Sequence, residues 1–280
     1  MGTAAIVKHA LQALLYEVTV NPKPGLVDPL SPGPHPDMNA FMFIDSALSL
    51  EPYFKTCASV GATYTAADLT GLFQQLREAG LQAEKTMFAT TNGVNTHKGA
   101  VFSLGILVAA TAYQKQHAMQ PLTTIVQTML VGLTANDFSD LASKDPAILT
   151  AGEREYLTYG IKGIRGEAEA GYPTVMSVAL PALRRSQGTI NQRLLDTLMA
   201  IVQATVDTNL VKRAKNKHVV DWVHAQAQQY FKLGGSQTEA GMLFLRELNQ
   251  IFVTHNYSLG GSADLLILTI FMGLEMQLLN

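Results

Sequence analysis

An all-α fold is predicted for this chain on three observations. Apolar side chains recur at helical spacing through most of the length, and no segment shows sustained two-residue alternation or β-branched enrichment. Five polar, glycine-bearing segments (21–28, 31–38, 91–99, 160–173 and 256–264) punctuate the apolar stretches. The expectation is a single compact multi-helix bundle of about ten helices, forming one domain over residues 1–280. Its active site would be formed by helix ends and glycine-rich loops converging on one cavity.

The elements follow in order. Ile6, Ala10, Leu14 and Val18 give a helix over residues 3–20, and Glu17 falls in its last turn beside the apolar stripe. A carboxylate is unfavourable there for both the dipole and burial, so Glu17 is either exposed or meets a cation. Pro22, Pro24 and Gly25 stop that helix, and a second proline-stiffened loop carries His35 and Asp37, with Asp37 placed to cap a helix over 38–50. Thr65-Ala66-Ala67-Asp68 reads as a capping box opening a helix toward Met87, with Arg77, Glu78, Glu84 and Lys85 as its solvated face. A buried helix over 98–113 comes next, then one over 121–133 and a mixed turn region over 136–151. Four glycines crowd residues 160–173, and Tyr172-Pro173 introduces a helix to about residue 185 that Pro181 kinks or splits. The longest uninterrupted helix is expected over 191–215, followed by helices over 218–232, 238–255 and 265–279.

Composition narrows the function. With 48% hydrophobic and 15% charged residues, 280 residues can bury a large core. A net charge of -2 supplies no polyanion-attracting field, which disfavours bulk nucleic acid, so any phosphate affinity must be local. The single Cys57 reads as a small buried side chain and fits a reducing compartment. Lys8, His9, Gln12 and Glu17 interrupt any signal-like apolar run, and 265–274 is too short to span a bilayer. A cytoplasmic protein is expected.

The segment Thr91-Asn92-Gly93-Val94-Asn95-Thr96-His97-Lys98-Gly99-Ala100 is the candidate working centre. Thr96 or Asn95 can cap the following helix, whose free N–H groups and positive dipole end suit an anion. Lys98 in the first turn opposes that dipole unless something negative sits there, and a phosphate would supply it. Zinc spacing, the Walker lysine and a nucleophile elbow are all missing. What remains is a set of oxygen ligands, Glu17, Asp28, Asp37, Asp207 and Asp264, beside the cations Lys23, Lys98, Arg165 and Arg213. Hard oxygen ligands hold Mg²⁺ and Lys or Arg meets phosphate charge, so the set suits a magnesium–polyphosphate substrate.

Six motifs carry a resemblance. Pro22-Lys23-Pro24-Gly25-Leu26-Val27-Asp28, Gly33-Pro34-His35-Pro36-Asp37-Met38, Asn92 to Gly99, Gly163-Ile164-Arg165-Gly166-Glu167-Ala168, Asp207-Thr208-Asn209 with Arg213, and Gly260-Gly261-Ser262-Ala263-Asp264 resemble the successive signatures of the triphosphoribosyl-dephospho-coenzyme A synthase family. They occur in the family's order and cover nearly the whole chain. Two positions depart from the pattern: Leu259 stands where the family usually has proline before the Gly-Gly pair, and Ala214-Lys215 follows Arg213 where glycine is common.

The resemblance implies a transferase that joins ATP to the ribose 2′-hydroxyl of 3′-dephospho-coenzyme A with release of adenine. The product would be the prosthetic-group precursor for the acyl carrier protein of citrate lyase or malonate decarboxylase, passed on to a carrier-protein transferase. Whether the chain pairs as a homodimer stays open. Under this resemblance Lys23, Lys98, Arg165 and Arg213 meet phosphates, with Asn92, Asn95, Thr96, His97, Gly260, Gly261 and Ser262 completing the ATP site. Glu17, Asp37 and Asp264 are the expected Mg²⁺ ligands, and Glu167 or Asp207 the group for base or leaving-group work. His35 and His97 are either structural donors or catalysts. Two other classes share these residue types: a Mg²⁺-dependent hydrolase of a nucleotide N-glycosidic bond, and a non-catalytic nucleotide-binding scaffold.

Overall fold

The computed structural model describes residues 2–145 and 148–279, and among them there is no strand. The helices are α1 Thr3–Thr19, α2 Ala40–Ser49, α3 Glu51–Thr63, α4 Thr70–Thr90, α5 Lys98–Gln114, α6 Leu122–Met129, α7 Leu133–Phe138 and α8 Ala151–Tyr159. They continue as α9 Gly163–Glu169, α10 Leu180–Arg185, α11 Ile190–Ala204, α12 Thr208–Ala214, α13 Val219–Lys232, α14 Glu239–His255 and α15 Gly260–Glu275.

Two helices form the centre. Ala100, Val101 and every residue from Ser103 to Tyr113 of α5 are buried, as is every residue from Leu265 to Leu274 of α15. A helix apolar on all sides has no face to give to water, so both become axes around which amphipathic helices pack. α1, α3, α4 and α6 surround α5, and α1 and α11 flank α15. Close approach is required where α3 crosses α5: a Cβ on Gly61 would stand 2.2 Å from the Ala109 carbonyl oxygen. Tyr53 pins the same contact, donating from its hydroxyl to the Val101 carbonyl at 2.8 Å. Cys57 lies buried in this layer, its thiol pushed up to about 12 by burial, consistent with a packing role. No single helix among the described residues is long and apolar enough to cross a membrane.

Several boundaries differ from the sequence expectation, each for a local reason. Asn39, not Asp37, caps α2, its side chain accepting from the Met42 N–H at 3.0 Å. Asp68 alone organises the start of α4 by accepting from the N–H and hydroxyl of Thr70, with no capping box. The 160–173 segment is largely helix α9, and residues 173–185 run on as one helix with a π turn over Val175–Ala179 just before Pro181. The long helix expected over 191–215 is broken at 205–207, where Asp207 starts α12 afresh. α12 ends on Lys215 at φ 51°, a left-handed conformation that glycine adopts without strain. In the turn region expected over 136–151, α7 and a short 3-10 turn are formed, and residues 146 and 147 lie outside the described residues.

Candidate active site

The first turns of α5, α9, α12 and α15, together with Glu17 at the end of α1 and the loop residues Leu26, Val27, His35 and Met38, enclose a cavity of about 790 Å³. The first N–H groups of a helix have no intrahelical acceptor, so four converging helix starts give one concavity a positive backbone field. Twelve of the sixteen residues singled out from the sequence line it: Glu17, Asn95, Thr96, His97, Lys98, Arg165, Glu167, Asp207, Arg213, Gly260, Gly261 and Asp264. Lys23, Asp37, Asn92 and Ser262 do not.

Each of those four has a physical account. Lys23 is fully buried, and its Nζ donates to the Glu17 carbonyl at 2.5 Å and pairs with the Glu17 carboxylate. Glu17 therefore meets its cation at the end of α1, and Lys23 is a structural counter-ion with no surface for a phosphate. Asp37 is exposed on its loop, outside the lining. Asn92 is an exposed turn residue at φ 52° that hands the chain from α4 to Gly93. Ser262 is buried and committed to Asp207.

Asp207 joins two helix starts. One oxygen accepts from the N–H groups of Asn209 and Leu210 at 2.9 and 3.2 Å, capping α12. The other accepts from the N–H and hydroxyl of Ser262 at 2.7 and 2.8 Å, at the start of α15. Burial pushes its pKa up while these donors pull it back. The anion at the Gly260-Gly261-Ser262 helix start is thus the protein's own carboxylate, and a Cβ at Gly261 would press on it at 3.2 Å. A carboxylate holding four donors is a brace, poorly placed to take a proton from a substrate.

Asp264 contrasts with it. One turn into α15 it lies against α5, where a Cβ on Gly99 would stand 2.0 Å from its Oδ2. No hydrogen bond is made by its carboxyl among the described residues. Burial, then the charges of Asp207 and Glu17, raise its pKa to about 8. A carboxyl that keeps its proton near neutrality and faces a cavity is equipped to give it away. Glu167 also lines the cavity, but its oxygens accept from the hydroxyl and N–H of Thr174 at 2.7 and 3.2 Å.

Cations rim the cavity in two groups. Lys98 pairs with Glu84 at 2.8 Å, so the negative partner its helix position demands comes from α4. Arg165 lies 5.8 Å over the Phe102 ring and pairs through Nε with Asp137 at 2.7 Å, and Lys162 donates to the Thr134 hydroxyl at 3.0 Å. In the second group Arg213 donates to the Pro34 and Asn256 carbonyls, to Asn256 Oδ1 and to His35 Nδ1. Arginine only donates, so His35 Nδ1 is unprotonated and its Nε2–H faces Ser258 Oγ at 3.1 Å. Burial and the Arg213 charge lower His35 to about 4. His97 is neutral as well, lowered to about 3 by burial and by Lys23, with Nδ1 at 2.8 Å from Ser46 Oγ and Nε2 unpartnered among the described residues. At the start of α5, Asn95 accepts from the Lys98 N–H at 3.2 Å, while the Thr96 hydroxyl turns to Ser46.

The expected Mg²⁺ ligands do not assemble. Glu17 is taken by Lys23, Asp37 is outside, and no group of three or more His, Cys, Asp or Glu among the described residues is placed to hold a metal. Sequence reasoning missed Glu84, Lys162 and Ser258. Only Glu84 left a signal, the unfavourable dipole position of Lys98, whose partner lies one helical hairpin upstream.

The chain matches the model of the family described as ATP:dephospho-CoA triphosphoribosyl transferase over residues 3–280. It is 79% identical over 279 residues, the full length of both chains, to a probable 2-(5''-triphosphoribosyl)-3'-dephosphocoenzyme-A synthase of Lactiplantibacillus plantarum. It is 39% identical over 295 residues to a protein of the same description from Streptococcus equi subsp. equi, covering 98% of this chain and 97% of that one. Protein CitXG of Leuconostoc mesenteroides subsp. cremoris is 49% identical over 276 residues, 97% of this chain and 59% of that longer protein. No solved structure matches.

Proposed function

The chain belongs to the ATP:dephospho-CoA triphosphoribosyl transferase family, and we propose that the cavity ringed by four helix starts is where it carries out that transfer. It joins the triphosphoribosyl group of ATP to the 2′-hydroxyl of dephospho-coenzyme A and releases adenine. The bond from C1′ of the ATP ribose to adenine breaks, and a bond from C1′ to the acceptor oxygen forms. One proton must reach adenine, and one must leave the acceptor hydroxyl.

The observation that carries the assignment is the bare Asp264 carboxyl, held against Gly99 beside the start of α5. Protonated near neutrality, it gives its proton to the departing adenine, and as a carboxylate it then takes the proton of the 2′-hydroxyl. The books balance on a single residue. The ionised carboxylate also stabilises positive charge building at C1′, and Glu167 adds a second negative charge in the same wall. Asp207 holds Asp264's helix in place and exchanges no proton. Mg²⁺, a hard cation suited to phosphate oxygens, is read as entering with ATP, carried by its phosphates. The triphosphate stays intact through the reaction and serves as a handle.

Delivery of the product to a carrier-protein transferase, for citrate lyase or malonate decarboxylase, and a cytoplasmic location belong to the same proposal. The test is adenine release measured by chromatography. Adenine should form from Mg²⁺–ATP only when dephospho-coenzyme A is present, and release with water alone would indicate hydrolysis. Asp264→Asn should lower turnover by roughly 10²–10⁴-fold with ATP affinity intact, and full activity in that variant would sink the assignment.

A further inference from the structure

The two cationic groups of the cavity differ in a way the reaction can use. Lys98 and Arg165 each have a carboxylate partner, Glu84 and Asp137. Arg213 has none within ion-pair distance among the described residues. Its guanidinium is held by two carbonyls, one side-chain amide and the unprotonated nitrogen of His35, all neutral. Four acceptors fix its plane, while its Nε and one further N–H are left uncommitted. A rigid, half-buried guanidinium at a cavity wall, with the Asp37 charge near it but in no direct ion pair among the described residues, is a seat for an anion. Ser258 anchors His35 from behind at 3.1 Å, so the ring cannot turn away from Arg213. Val27 and Met38, on either side of His35 in sequence, add apolar groups to the cavity lining.

Two substrates bring phosphate into this cavity, and their charges differ. ATP carries a terminal triphosphate, which calls for several cations and a helix start. Lys98, Lys162, Arg165 and the first turn of α5 supply these. The acceptor nucleotide carries an internal diphosphate diester with an uncharged, partly apolar arm beyond it. A single forked guanidinium in a cavity with apolar lining matches that group. Resting on the transferase reading above, we propose that Arg213, oriented by His35 and Ser258, binds the diphosphate of dephospho-coenzyme A, and that the triphosphate of ATP lies against Lys98 and Arg165.

Calorimetric titration of the full chain with Mg²⁺–ATP and, separately, with dephospho-coenzyme A tests this. Arg213→Met should weaken dephospho-coenzyme A binding by roughly 10- to 100-fold, the range for a lost hydrogen-bonded charge, and leave ATP within about twofold. Arg165→Met should show the reverse selectivity. Should Arg213→Met lose its fold, as judged by circular dichroism, Arg213→Lys keeps the charge, gives up the fork and should show the same selectivity with a smaller loss. His35→Leu, which frees the guanidinium to reorient, should weaken the acceptor alone. Equal weakening of both nucleotides by an Arg213 variant, or of ATP alone, would overturn the proposal, as would no effect on either. Failure of the wild-type chain to bind either nucleotide would instead bring down the transferase reading, and this assignment with it.

Discussion

Gly99 leaves Asp264 no slack, since a Cβ there would stand 2.0 Å from the carboxyl oxygen. The atom it meets is the end of a side chain, so Gly99→Ala should fold normally. Alanine also gains about 1 kcal/mol of helix propensity over glycine. The carboxyl would have to swing aside, and turnover should fall on the order of 10²-fold with the melting temperature unchanged or raised. Parallel melting and adenine-release measurements check this, and an unimpaired variant would remove Asp264 from the chemistry. Residue-scale chemistry was only partly legible beforehand. That Glu17 is either exposed or meets a cation followed from its place in a helix's last turn, and Lys23 supplies the cation. That Asp207 is spent on four donors while Asp264 has none could not be read, because each has a polar residue two positions away, Asn209 and Ser262, and only the packing of α12 on α15 separates them.

Between elements, the same pair of carboxylates makes opposite demands. Asp207 stitches the starts of α12 and α15, so Asp207→Asn would turn an amide N–H toward donors at Ser262 or at Asn209 and Leu210. A loss of about 1–3 kcal/mol is expected, read from the urea midpoint. Asp264→Asn should cost nothing by the same measurement, and equal losses in the two variants would refute the division between brace and acid. At the α3–α5 crossing the obstacle is backbone, so Gly61→Ala should destabilise by about 1–3 kcal/mol without a specific effect on the site. Long helices with clear apolar faces, α1, α4, α13 and α14, were legible from periodicity, and α5 from its continuous apolar run. α3 was not, since Pro52 and Gly61 disguise it, and neither was the break inside 191–215, where apolar spacing runs on through a reset that Asp207 imposes.

At the scale of the whole molecule, the cavity groups set how stability depends on pH. His35 and His97 have native values near 4 and 3, against about 6.5 when unfolded. Between pH 4 and 6.5 the unfolded chain therefore binds up to two more protons at these sites, and stability is lost as pH falls through that window. Asp264 runs the other way. Its native value near 8 exceeds the unfolded 3.8, so the native state holds one extra proton from about pH 4 to 8, and stability is lost as pH rises. Summed over the three, stability climbs with a slope of about one proton up to pH 6.5 and declines with the same slope to pH 8. Asp207 and Glu155, raised chiefly by burial, move the summit to the acid side, while Glu153, lowered to about 2 by Lys144 and Thr150, adds to the loss below pH 4. Urea midpoints from pH 4.5 to 9 should therefore trace a dome with its top at or below about pH 6.5. Asp264→Asn should flatten the limb above the top, and His97→Gln the limb below it. A midpoint rising steadily to pH 8 in the wild-type chain would mean that Asp264 is already ionised, and the proton for adenine would have to come from elsewhere.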